Sequence, residues 1–130
     1  MVNIINHLKQ SYPTTTFLLL SVSDRSVKKD GEFKTMESIP LLVAAQKEIA
    51  RKSKIAFFNL FEAMGGENSI VALVDHDLPL ANKDYTHLNY QGGKKIAQIF
   101  LKSILNGLEN YNDKTKEHSP SDSIFVQRAN

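Results

Sequence analysis

Asp84-Tyr85-Thr86-His87-Leu88-Asn89 is the densest cluster of polar and titratable side chains in the sequence. It stands just ahead of a segment with helical apolar spacing, so it reads as a loop that feeds a helix. An aspartate three residues before a histidine at such a mouth can curl back to the imidazole. Bound to Nδ1–H, the carboxylate would fix the tautomer and stabilise the imidazolium, leaving Nε2 free as a general base. The same spacing also fits a surface loop in which Asp84 and Asn89 only cap turns.

Other groupings lead to less chemistry. Asp75-His76-Asp77, taken with Asp84 and His87, has the residue types of a Zn²⁺ or Mn²⁺ site. Three successive residues at a helix end cannot all converge on one ion, so they read as a solvated helix terminus and no metal site is expected. Gly65-Gly66 and Gly92-Gly93 lack the G-x-G-x-x-G pattern and the Lys-Ser/Thr of a phosphate loop. Gly92-Gly93 instead suits close approach of a helix to the sheet. Ser23 ends an apolar run, where ligands bind in open α/β sheets, but it lacks the Gly-flanked turn that exposes a hydrolase nucleophile. Asp24-Arg25 reads as a surface ion pair or as part of a site rim. With no Cys, disulfides, thiolate metal sites and Cys nucleophiles are excluded.

The elements that must position these groups follow from the pattern. Val2 to Tyr12 has helical spacing and ends at Pro13, and Thr16 to Val22 is an apolar, β-rich run. Such a run reads as a strand buried on both faces, as in a parallel sheet. Ser23 to Lys34 is polar and reads as a loop with an Asp30-Gly31 turn. Met36 to Lys52 is a second amphipathic helix, with Pro40 in its first turn and Thr35 or Ser38 as its cap. Ile55 to Leu60 is a second buried-type strand, followed by the Gly65-Gly66 break and a short helix that Asn68 or Ser69 can cap. Asn89 can cap a last helix carrying Ile96, Ala97, Phe100, Leu101, Ile104 and Leu108, with Asn106-Gly107 as a stop, although the pattern could run a turn further. The order predicts an α/β fold built on βαβ units. Residues 109–130 read as a polar, mobile tail, apart from Ile124-Phe125-Val126.

The 130 residues suffice for one domain, and 42% hydrophobic content suffices for a packed core. A net charge of 16 − 14 = +2, with no basic stripe, argues against nucleic acid or a membrane surface as partner. No apolar run approaches the ~20 residues of a spanning helix, and no signal peptide is visible. Two strands, however, do not make a sheet. They leave unpaired edges and too little surface for the helices. Either another chain supplies strands, or the sequence is the C-terminal part of a larger domain.

Leu80-Ala81-Asn82-Lys83-Asp84-Tyr85-Thr86-His87-Leu88-Asn89, followed by Gly92-Gly93, resembles the last block of the SGNH (GDSL-type) hydrolases. Ser21-Val22-Ser23-Asp24-Arg25 and Phe57-Phe58-Asn59-Leu60-Phe61-Glu62-Ala63-Met64-Gly65-Gly66-Glu67-Asn68-Ser69 are similar to one bacterial branch of these acylhydrolases. The resemblance covers roughly residues 1–108. It implies a three-layer α/β/α, flavodoxin-like fold of which the chain holds the C-terminal part, and a Ser-His-Asp triad in which Asp84 orients His87. The family's serine lies in a Gly-Asp-Ser block and its oxyanion asparagine in a Gly-x-Asn-Asp block, and neither occurs here. By the resemblance both lie upstream, together with three strands. The implied substrate is an acyl ester, with an acylated carbohydrate as the candidate, and neither metal nor organic cofactor is needed. The chain alone is expected to have no triad chemistry. Two other functions fit the same residues: a non-catalytic remnant or assembly piece that docks with another chain, and a flavodoxin-like module that binds a small ligand.

Overall fold

The structure is a computed structural model that describes residues 1–117, with side chains described to Lys114. It is a mixed α/β arrangement in which two short parallel strands lie between helices. Helix α1 (Val2–Ser11) ends before Pro13, and strand β1 (Leu18–Leu20) follows. Helix α2 (Ser38–Ser53) then leads to strand β4 (Ala56–Phe58). The two strands pair in parallel, with Leu18 opposite Ala56, Leu19 opposite Phe57 and Leu20 opposite Phe58.

This register sorts the side chains onto two faces. Phe57, on the Leu19 face, packs with Ile39, Val43 and Phe61 and so lies under α2. Phe58, on the Leu18 and Leu20 face, meets Phe100 edge-on at a centroid distance of 4.9 Å. Phe100 belongs to the last helix, α5 (Tyr90–Glu117). Helices therefore cover both faces of the pair, which is the layering of the flavodoxin-like fold. Between them lie α3 (Leu60–Met64) and α4 (Ser69–Val74). A second cluster, Met64, Ile70, Val74 and Ala81, joins these to the loop before α5.

Several expectations are corrected. Ser23–Lys34 is not a plain loop. It contains an antiparallel hairpin of β2 (Ser26–Lys29) and β3 (Glu32–Thr35), turned at Asp30-Gly31. Its alternating polar side chains hid the strands, because a hairpin held at its base needs no apolar face along its whole length. The parallel strands are shorter than predicted and are not buried on both faces, since Leu18 and Leu20 remain 37% and 44% exposed. Among the described residues each has one strand neighbour, so no further strand shields them there. Helix α5 runs through Asn106-Gly107 to Glu117, so part of the predicted tail is helical. One glycine does not outweigh the apolar stripe and helix formers around it. His118 and Ile124-Phe125-Val126 lie outside the described residues.

The caps differ in an informative way. Neither Thr35 nor Ser38 caps α2, whose N-cap is Glu37 with no side-chain bond to the helix's own N–H groups. Asn68 precedes α4 but does not cap it with its side chain. Asp24 reaches across from 46 residues away and accepts from Ile70 N at 2.9 Å. Its carboxyl is wholly buried and also accepts from Ser69 Oγ, Thr35 Oγ1 and Arg25 N. The Asp24–Arg25 ion pair does not form. Four donors satisfy the two oxygens, which is what burial of such a group requires.

Candidate active site

The Asp84–His87 segment is a closed loop rather than an open connection. Ala81 and Leu88 form an antiparallel bridge at its base, and Asn89 N donates to Leu80 O at 3.1 Å. Inside that base, Asn82 N donates to His87 O at 2.8 Å and Tyr85 N to Asn82 O at 3.0 Å. Asn89 caps α5 as predicted, its Oδ1 accepting from Gly92 N at 3.0 Å. Gly92 allows close approach, though to the loop rather than to the sheet. A Cβ there would stand 1.9 Å from Leu80 O, a backbone atom that cannot move aside.

Within this frame Asp84 makes three bonds. Its Oδ1 accepts from Thr86 N at 2.9 Å and from His87 N at 3.0 Å, and its Oδ2 lies 2.8 Å from His87 Nδ1. The ring bond is the largest influence on the carboxyl. Together with the two backbone N–H groups it pulls the Asp84 pKa down from 3.8 to about 2. An ionised carboxylate only accepts, so in neutral imidazole the proton belongs on Nδ1 and Nε2 carries the lone pair. The side chains are 48% and 72% exposed for Asp84 and His87. The pair is thus assembled and open on its Nε2 side.

No serine of the described residues completes a relay, because the only side chain bonded to the His87 ring is Asp84. Ser23 is half-buried between β1 and the hairpin and makes no bond to His87. His76 turns its Nδ1 to the Leu78 backbone, away from any ligand set with His87. Among the described residues no three His, Cys, Asp or Glu side chains gather as a metal site. Two grooves flank the region. One of about 860 Å³ lies between the hairpin and the start of α2, and one of about 720 Å³ lies between Leu78–Leu80 and α5. Neither of these two is lined by Asp84 or His87.

The hairpin borders the pair through a contact that sequence reading missed. The Phe33 ring stacks on Tyr85, with centroids 3.7 Å apart and planes 12° apart, and Ser26 N donates to Tyr85 O at 3.0 Å. Only the single aromatic of a mostly polar hairpin could have signalled it.

No protein-family model and no curated protein matches the sequence. Among solved structures, a peptidoglycan O-acetylesterase in action is similar, with a TM-score of 0.73 at 18% identity. The match covers 84% of this chain and 31% of that one, so this chain spans less than a third of the neighbour's length. The likeness is one of fold. It places the two parallel strands and their flanking helices in an α/β architecture.

Proposed function

We propose that the chain is the C-terminal part of a serine-dependent acyl ester hydrolase of the SGNH type, with His87 as general base and Asp84 as its orienter. The observation that carries this reading is the 2.8 Å bond from His87 Nδ1 to Asp84 Oδ2, with Nε2 directed away from the carboxylate and the ring exposed. The fold likeness to a peptidoglycan O-acetylesterase supports it. A serine supplied by the rest of the domain would donate its hydroxyl proton to Nε2 as Oγ attacks the ester carbonyl. The imidazolium, stabilised by Asp84, returns that proton to the leaving alkoxide. Water repeats the cycle on the acyl-serine and releases the carboxylic acid. The substrate class is an acyl ester, an O-acetyl group on a carbohydrate being the candidate, and the relay uses no cofactor.

The partner follows from the same reading. The free edges of β1 and β4 and the exposed Leu18 and Leu20 call for further strands, from an upstream segment or another chain. The test compares two proteins on p-nitrophenyl acetate: the 130-residue chain, and the product of the reading frame extended upstream of Met1. The chain alone should show no turnover above buffer. The extended protein should hydrolyse the ester and lose on the order of 10³–10⁴-fold in kcat on His87→Ala or Asp84→Asn. An inactive extended protein sinks the esterase reading. An active short chain that loses activity on His87→Ala sinks the claim that the nucleophile lies elsewhere.

A further inference from the structure

The hairpin contributes no group to the proposed proton relay, yet its Phe33 ring stacks on the loop that holds it. Tyr85 follows Asp84 directly and sits at φ 53°, in the left-handed region that bulky side chains rarely adopt. Its conformation sets how the chain turns from Asp84 back to His87. One side of Tyr85 packs on the Met64, Ile70, Val74 and Ala81 cluster, and the Phe33 ring stacks against it. Phe33 is half-buried and belongs to neither buried cluster, so its aromatic surface is spent on Tyr85.

The hairpin is itself fixed at its base. Asp24 binds Arg25 N, just before β2, and Thr35 Oγ1, at the end of β3, while its other oxygen holds the start of α4. Thr35 and Asn68 bond reciprocally: Asn68 N donates to Thr35 Oγ1 at 2.7 Å and Thr35 N to Asn68 Oδ1 at 3.1 Å. Met36 N closes the base on Arg25 O at 2.9 Å. A rigid path therefore runs from α4 through Asp24 and the hairpin to Phe33, Tyr85 and the Asp84–His87 turn.

We propose that the β2–β3 hairpin is a clasp that holds the Asp84–His87 turn in its hydrogen-bonded form, with Phe33 a positioning residue acting through Tyr85. Its role in catalysis rests on the reading of His87 as the base. Its effect on geometry does not.

The test reads geometry in the 130-residue chain by NMR: the ¹⁵N shifts of the His87 ring, which report the tautomer, and the ¹³C titration of the Asp84 carboxyl. Phe33→Leu removes the ring and should move His87 from the Nδ1–H form toward the mixture of a free imidazole. It should also move the Asp84 midpoint from about 2 toward 3.8. Phe33→Tyr keeps the ring and should restore both. Val43→Ala, in the other core cluster, should lower Tm and leave both readouts unchanged. In a Tyr85→Gly background, which needs no clasp to hold a positive φ, Phe33→Leu should have no further effect. The clasp is refuted if Phe33→Leu retains the native tautomer and midpoint, if Val43→Ala shifts them equally, or if the Phe33 effect persists without Tyr85. An inactive extended protein whose His87 still responds to Phe33→Leu would discard the esterase and keep the clasp.

Discussion

Asp84 gains its character from geometry that a single residue spacing makes available. A carboxylate held by one imidazole N–H and two backbone N–H groups is stabilised in its charged form, and its pKa falls from 3.8 to about 2. The sign of the linkage follows. A depressed folded-state pKa contributes stability that is fully present above the unfolded value, near 3.9. That contribution is lost as pH falls through about 2. Carboxyl ¹³C titration should therefore give Asp84 a midpoint near 2 and an ionised carboxylate across the whole neutral range. Since the His87 ring is the largest cause, His87→Ala should raise that midpoint toward 3.8. A native midpoint already at the ordinary value would mean that the 2.8 Å bond is not made. Asp24 shows the opposite arrangement at the same scale: a wholly buried carboxyl with four donors and no open side. It binds elements together, whereas Asp84 presents a partner to solvent.

Among the elements, the loop before α5 depends on how closely the helix start approaches it. Asn89 ties Leu80 to Gly92, since its backbone N–H donates to Leu80 O and its Oδ1 accepts from Gly92 N. The space beside Gly92 is already taken by the Leu80 carbonyl. Gly92→Ala should therefore separate α5 from the Ala81–Leu88 bridge, at a cost of about 2–4 kcal/mol in urea unfolding. Gly93→Ala, which meets open space, should be neutral or stabilise by up to ~1 kcal/mol as a better helix former. Equal losses at the two positions would show that the close approach has no energetic weight. The element that departed most from expectation, the hairpin, is held by Asp24, Thr35 and Asn68, residues far apart in the sequence and close only once α4 is in place.

At the scale of the molecule, the apolar surface is out of proportion to the sheet. Leu18 and Leu20 are exposed on β1, as are Leu101, Ile104, Leu105 and Leu108 along α5. A parallel pair is ordinarily buried by neighbours on both edges and both faces, and two strands alone have marginal stability. The isolated chain should therefore self-associate, with a sedimentation mass that rises with concentration above 14.6 kDa. Replacing Leu18 and Leu20 by Thr should reduce that association while keeping the strand. A monodisperse monomer with a sharp, cooperative melt would contradict the view that the sheet calls for completion. No helix among the described residues is long and apolar enough to cross a membrane.

The sequence alone determined the order of helices and parallel strands, because apolar periodicity and buried-type runs are local signals. It made the Asp84–His87 pairing available, since partners three residues apart can meet in one turn. The same spacing fitted a loop in which Asp84 only caps, and the bond itself is a feature of the folded loop. Asn89 as a cap was legible as well, from a residue type beside a helix start, whereas the close approach expected of Gly92-Gly93 toward the sheet falls at Gly92 alone and against the Leu80 carbonyl. What only the tertiary structure decided was everything that depends on distant chain: Asp24 capping α4, and Phe33 stacked on Tyr85. Those contacts join residues 46 and 52 positions apart, and no periodicity encodes them. The pairing of two buried-type runs belongs to both. The runs could be counted in the sequence, and the structure pairs them in parallel with Leu18 and Leu20 exposed.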